Sequence, residues 1–228
     1  MRYPVLIFDL DDTLIESFPE YVRLHQRIAT ELGWQIPSAE QLVHYGPTWE
    51  DTLARLWPGV GLDPFMNLYE QLADDHSYPA INGVPDALTQ LRERGHSLWI
   101  VTKRSRRRLR QRMDQAGLPS EWFAGIFAYE DQPVSKPDPR CFEPVWQALG
   151  GSRSSMAERA IYVGDREDDQ LAASAAGVGF VGVRTGPERH ASSSFLDRLT
   201  REQVLDSAAE LPAWLEDLED LEELEDHR

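Results

Sequence analysis

The sequence predicts an α/β fold, a doubly wound parallel-sheet core with an all-helical cap inserted after the first strand. Three observations carry this expectation. Five short apolar runs recur, Val5 to Phe8, Leu98 to Val101, Gly125 to Ala128, Ala160 to Val163 and Gly179 to Val183, and each has the length of a buried strand. Most of the intervals between them hold apolar residues at helical spacing, the alternation expected of a parallel sheet covered by helices. From residue 16 to residue 80, by contrast, helix starts and stops are plentiful and no strand-like run appears.

Taken in chain order, Val5 to Phe8 is the first strand. In the interruption that follows, Tyr21, Leu24, Ile28 and Leu32 form one apolar stripe that stops at Gly33. Ser38 with Gln41 makes a capping box, Thr48 can cap a helix reaching Trp57, and Asp63-Pro64 opens the last helix. Within the core, Leu88 and Leu91 before Gly95 mark one helix; Leu109, Met113 and Ala116 before Gly117 mark another; Phe142, Trp146 and Leu149 before Gly150 mark a third. The expected division is a core of residues 1–15 and 81–214, a cap of residues 16–80, and an acidic tail of residues 215–228. Eight Asp or Glu residues between 216 and 226 favour a solvated tail, although Leu215, Leu218, Leu221 and Leu224 could line one helix face. An insert after the first strand stands over the carboxyl ends of the strands, where such sheets bind ligands.

With 228 residues and 41% hydrophobic composition, burial is not limiting. The lone Cys141 forms no internal disulfide, which suits a reducing, cytoplasmic setting. The apolar stretch before Asp9 is too short for a signal peptide or a membrane span. A net charge of -16 argues against nucleic-acid and membrane partners, whose affinity rests on Lys and Arg. An anionic substrate must therefore meet local positive features.

Chemistry-bearing residues gather at strand ends. Asp9 and Asp11 follow the first strand; Asp165 follows the fourth, with Asp169 one helical turn further on. Clustered carboxylates repel, and a hard divalent cation such as Mg²⁺ offsets their repulsion. The bland alternative is that Asp11 or Asp12, and Asp168 or Asp169, cap the helices that follow. Thr102 and Lys103 close the second strand, where a hydroxyl and backbone amides suit phosphate oxygens. After the third strand, Lys136 sits in Ser135-Lys136-Pro137-Asp138-Pro139, where two prolines stiffen the backbone around one ammonium.

Together, Asp9, Asp11 and Thr13, then Thr102, then Lys136, then Asp165 and Asp169 resemble the four motifs of the haloacid dehalogenase-like superfamily, over about residues 1 to 190. The Ile81-Asn82-Gly83-Val84-Pro85 turn and the Lys-Pro-Asp-Pro loop look most like its phosphoglycolate-phosphatase branch, which has a Rossmann-like core and a helical cap. The resemblance implies a Mg²⁺-dependent hydrolase of a small phosphate monoester. Asp9 would be the nucleophile that forms an aspartyl-phosphate, and Asp11 the acid and base, with a raised pKa. Thr102, Lys103 and Lys136 would bind the phosphoryl group. Asp9, Asp11 through its backbone carbonyl, Asp165 and Asp169 would serve the metal. Haloacid dehalogenases lack a carboxylate where Asp11 stands, so a phosphatase is preferred. Asp12 stands where that branch usually has Gly; an Asp there is also seen in nucleotidase-like and sugar-phosphatase-like relatives, which leaves those substrates open, and a phosphomutase shares the fold.

Other features are set aside. Seven basic residues between Lys103 and Arg112 are read as a solvated surface spread around their helix. None of the histidines at 25, 44, 76, 96, 190 and 227 has metal-ligand spacing; His25 and Tyr21 on the first cap helix could face substrate, and packing within the cap explains them at least as well. A signalling receiver module also combines acidic residues, Mg²⁺, Thr and Lys, but it is smaller, uncapped, and carries its phosphoacceptor on a later strand.

Overall fold

The computed structural model describes residues 3–43, 48–150, 157–190 and 194–226. Six strands, β1 (Val5–Phe8), β2 (Ser97–Val101), β3 (Gly125–Phe127), β4 (Ala160–Gly164), β5 (Gly179–Val183) and β6 (Val204–Leu205), form one sheet in the order β3-β2-β1-β4-β5-β6. Every neighbouring pair is parallel. The expected fold class is met. The two-residue β6 is the addition, too short to leave an apolar run.

The chain leaves β1 for β2 on one side and returns to β4 on the other, so β1 lies at the switch point of the sheet. Register then decides what meets there. Phe8 pairs with both Ile100 and Val163, which brings the ends of β1, β2 and β4 level. Asp9, Thr102 and Asp165 leave the sheet from these adjacent ends, and the crevice outside them is where open α/β sheets bind ligands.

Alternation along each strand sends side chains to two separate cores. Leu6, Phe8, Leu98 and Ile100 pack with Leu88 and Leu91 of α5 (Val84–Glu93) and with Leu109 and Met113 of α6 (Arg106–Ala116). Val5, Ile7, Trp99 and Tyr162 pack on the other face with Val145 and Trp146 of α7 (Glu143–Leu149) and with Ala172 and Ala173 of α8 (Glu167–Ala176). With both faces covered, the strands tolerate the unbroken apolar runs seen in the sequence.

The segment from 16 to 80 contains α1 (Phe18–Leu32), α2 (Ala39–Val43), α3 (Trp49–Leu56) and α4 (Leu62–Leu72). Its entry and exit run side by side: Glu16 N donates to Pro79 O at 2.9 Å and Ile81 N to Leu14 O at 3.0 Å. The local signals explain the helices. Gly33 ends α1 in the left-handed region at φ 67°. Ser38 and Gln41 bond reciprocally at 2.9 and 3.2 Å, and Thr48 Oγ1 accepts from Asp51 N at 3.1 Å. Leu24, Ile28, Leu53, Trp57 and Phe65 give these helices an apolar cluster of their own.

The acidic segment differs from the solvated tail expected of it. It belongs to a helix, α9 (Leu211–Asp226), whose Leu211 and Leu215 are buried against the α5 face of the core and whose Glu216 pairs with Arg94 at 2.7 Å. Anchoring of its first turns by apolar burial outweighs like-charge repulsion between exposed carboxylates, which water screens. No described helix is long and apolar enough to cross a membrane.

His25 is fully buried between Tyr21 and Phe65, and its Nδ1 lies 2.8 Å from Tyr21 O. Burial pulls its pKa down to about 4, against a weaker upward pull from that hydrogen bond. The unfolded chain therefore binds a proton that the folded one refuses. The stability this neutral ring confers is complete above about pH 6.5 and is lost toward pH 4, roughly 3 kcal/mol in all. Denaturant titrations of the parent and of His25→Phe, followed through tryptophan fluorescence, should diverge over that window, the parent losing stability relative to the variant. Parallel pH profiles contradict this.

Candidate active site

The site is built where three adjacent strands end. Asp9 follows β1, and its backbone N donates to Val163 O at 2.9 Å, fixing it against β4. Asp165 follows β4, and Asp169 stands in the first turn of α8. Ligand oxygens of Asp9, Asp165 and Asp169 all lie within 4.8 Å of one another, and all three residues are buried. Lys136 is buried beside them. Its Nζ donates to Asp9 Oδ1 at 2.7 Å, to Asp169 Oδ1 at 2.6 Å and to Tyr162 Oη at 2.6 Å. Thr102, also buried, lines the same cavity of about 370 Å³.

Charge explains why these groups suit a metal. Three carboxylates against one ammonium leave a local charge equal and opposite to that of one divalent cation. Burial pushes Asp9 up to about 6, a rise that Lys136 restrains and that Asp169 and Asp11 reinforce. Burial, then the neighbouring Asp12 and Asp169, push Asp165 well above the usual carboxylate range. Lys136 moves the other way from a solitary buried amine: burial pulls it down, but Asp169 and Asp9 outweigh that and hold it charged. Asp165 Oδ1 accepts from Thr13 Oγ1 at 3.3 Å, whereas its Oδ2 is buried without a hydrogen-bond partner among the described residues. An orphaned carboxylate oxygen among others is the donor that a hard, oxygen-seeking cation fits.

Asp11 departs from expectation. It lines the cavity, but its carboxylate is turned to cations: Oδ2 accepts from Arg104 Nε at 2.8 Å, and Oδ1 is bonded by Arg112 Nη1 and Ser17 Oγ. Burial raises its pKa, yet Arg104 and Arg112 outweigh burial and hold it well below the usual carboxylate range. The raised pKa expected of a general acid is therefore corrected for this conformation. Nor does its side chain join the three-carboxylate cluster. Asp12 has the capping role: with φ 58° in the left-handed region, its Oδ1 accepts from Ser17 N at 2.9 Å and Phe18 N at 2.7 Å at the start of α1. A left-handed backbone explains why Gly and Asp can interchange there, since Asp is among the few side chains that tolerate it. Lys103, expected to bind substrate, is half exposed and paired with Asp168.

Several contributors escaped the sequence reading. Tyr162 looked like an ordinary strand residue, yet its hydroxyl anchors Lys136 and donates to Val101 O at 3.0 Å. Arg104 and Arg112 were absorbed into a surface reading that the structure corrects, Arg108 and Arg112 being buried. The available signal was spacing, because Arg108 and Arg112 stand four residues apart on α6 and so share a face. Tyr21 lines the cavity beside Trp49 and Tyr69, while His25 lies behind them.

A family model described as haloacid dehalogenase-like hydrolase matches residues 6–183, spanning every residue of this cluster. The chain belongs to the haloacid dehalogenase-like hydrolase family. Within the family, it is 29% identical over 197 residues to the phosphoglycolate phosphatase of Pseudomonas putida KT2440, covering 80% of this chain and 70% of that one. Phosphoglycolate phosphatase 1 of Pseudomonas aeruginosa PAO1 is 30% identical over 193 residues, with 78% and 68% covered. A solved structure of a predicted phosphoglycolate phosphatase from Haemophilus somnus 129PT superposes with TM-score 0.77 at 19% identity, over 93% of this chain and 98% of that one. At that identity, the superposition bears on the fold.

Two glycines keep the carboxylates in place. A Cβ on Gly164 would run into Asp169, and one on Gly186 would run into Asp165 Oδ2. Gly186→Ala should displace Asp165 and weaken Mg²⁺ binding at least about tenfold, about 1.4 kcal/mol, with little loss of secondary structure. Calorimetric Mg²⁺ titration with circular dichroism checks this; unchanged affinity in the folded variant contradicts it.

Proposed function

We propose that this hydrolase is a Mg²⁺-dependent phosphatase acting on a small phosphate monoester through an aspartyl-phosphate at Asp9. The observation that carries the reading is the buried contact of Lys136 with Asp9 at the mouth of β1, beside the Asp165 and Asp169 carboxylates. A carboxylate so placed is a nucleophile whose charge is kept by an adjacent ammonium, and covalent transfer to it divides one difficult displacement into two. The phosphorus–oxygen bond to the leaving group breaks as the bond to Asp9 Oδ forms, and water later breaks the acyl phosphate.

Lys136 and Thr102 would hold the phosphoryl oxygens, with Lys103 at the rim once it leaves Asp168. Positioning and charge neutralisation are the main demands of phosphoryl transfer. Asp9 and Asp165, helped by the backbone carbonyl of Asp11 and with Asp169 behind them, are the residues that would hold Mg²⁺. When bound, the ion neutralises carboxylate and phosphoryl charge. Asp11 would protonate the leaving oxygen and then accept a proton from the attacking water, which requires its side chain to leave Arg104 and Arg112 first.

We further read residues 16–80 as a cap on a core of residues 1–15 and 81–214, with 215–228 as a terminal element, in a cytoplasmic protein whose Cys141 is buried and free. The names of the bacterial relatives support phosphoglycolate as the first substrate to try. A larger leaving group, such as a sugar or nucleoside, is the second reading. It is favoured by the aromatic wall of Tyr21, Trp49 and Tyr69 over a cavity of about 370 Å³.

Phosphate-ester hydrolysis should require Mg²⁺, stop on chelation with EDTA and return on its resupply. Asp9→Asn should lower kcat by at least about 10³-fold, near 4 kcal/mol of barrier. A screen of esters with and without Mg²⁺, read by phosphate release, tests this. Hydrolysis by Asp9→Asn at the parent rate eliminates Asp9 as nucleophile.

A further inference from the structure

Two of the guanidinium groups that line the cavity share one carboxylate and have no role in the chemistry above. Arg104 lies in the turn after β2 and Arg112 on α6, and both line the cavity. Between them they grip one carboxylate, Asp11, with Ser17 Oγ accepting from Arg112 Nη1 at 3.1 Å as well. Arg112 is a built feature. Its side chain is 6% exposed, its guanidinium carbon stands 3.8 Å from the Tyr78 ring centroid, and its Nε is buried with no hydrogen-bond partner among the described residues. An arginine fork held by packing, with an N–H that no described residue uses, is shaped for a planar or tetrahedral anion.

The same contacts keep Asp11 from the leaving oxygen. Moving Asp11 away with nothing in its place would strand the buried Arg112 cation without its carboxylate, which is costly. An incoming anion removes that cost, because one negative charge replaces another on the same donors.

We propose that Arg104 and Arg112 form a receptor for a second anionic group on the substrate, and that this group, by taking the place of Asp11 on the two guanidiniums, releases Asp11 toward the leaving oxygen. The inference rests on the phosphatase reading and narrows it to phosphate monoesters whose leaving group carries a carboxylate or a second phosphate. Arg104 and Arg112 are then positioning residues for Asp11 as well as specificity determinants.

The test compares 2-phosphoglycolate with 2-hydroxyethyl phosphate, which is of similar length and lacks the carboxylate, and with 1,3-propanediol bisphosphate, which separates a carboxylate from a second phosphate. The parent should prefer at least one ester with a second anionic group over 2-hydroxyethyl phosphate by about 100-fold or more in kcat/KM, the scale set by leaving a buried polar receptor unfilled. Arg112→Met should lower kcat/KM for that ester by a similar factor while raising kcat for 2-hydroxyethyl phosphate, since Asp11 is no longer held back. Arg104→Met, at a more exposed position, should shift both in the same directions and guards against misfolding of the first variant. A parallel fall on esters with and without the second anionic group in both variants, or no preference in the parent, overturns the proposal. Calorimetric binding of phosphonoacetate against methylphosphonate gives a readout independent of turnover. Preference for phosphonoacetate that Arg112→Met abolishes supports the receptor even if no ester is hydrolysed, an outcome that would defeat the phosphatase reading alone. Equal binding of the two analogues by the parent overturns the receptor.

Discussion

Lys136 Nζ stands 2.7 Å from Asp9 Oδ1 and 2.6 Å from Asp169 Oδ1, buried at the floor of the cavity, and the arrangement of the reacting end of the sheet follows from those contacts. Its side chain is 3% exposed, so desolvation is costly and only close partners offset it. Asp9 and Asp169 provide them, and Tyr162 Oη completes the ammonium's shell from within β4. Removing the ammonium would leave adjacent buried carboxylates without their neutralising charge, a loss of about 3–5 kcal/mol by analogy with other broken buried pairs. The same contact that stabilises the site keeps Asp9 charged enough to act as a nucleophile. Stability and reactivity are therefore set by one interaction.

The rest of the fold serves that contact. Placing β1 between β2 and β4 brings Asp9 next to residues separated from it by most of the chain, and matched register puts Thr102 and Asp165 at the same height. Glycines at 164 and 186 leave room for carboxylates that any side chain would displace. Over this end sit Tyr21, Trp49 and Tyr69 from the helical insert, so the cavity has a charged floor and an aromatic roof. The cations Lys103, Arg104, Arg112 and Lys136 give it the local positive features that a chain of net charge -16 otherwise lacks.

Much of this was legible in the sequence, for physical reasons that differ by element. Buried parallel strands must be apolar on both faces, so Val5 to Phe8 and Ala160 to Val163 announced themselves, and the carboxylates after them marked the strand ends. Helix stops at Gly33, Gly117 and Gly150 were readable because each adopts a left-handed backbone that glycine supplies at least cost. What escaped was decided by tertiary partners. Tyr162 differs from any apolar strand residue only through where its hydroxyl points. Asp11 appeared free to take up a proton until Arg104 and Arg112 arrived from another part of the chain. The acidic helix α9 was masked by its charge, although the two leucines that anchor it, Leu211 and Leu215, stood at helical spacing.

A crystal structure of the protein grown with Mg²⁺ and beryllium trifluoride, a mimic of a phosphoryl group on a carboxylate, would examine the Lys136-centred site directly. The trifluoride should be attached to Asp9, with Lys136 and Thr102 against its fluorines and the ion between Asp9 and Asp165. Attachment to another carboxylate, or an ion bound away from Asp9 and Asp165 while Lys136 keeps both of its present partners, would contradict it.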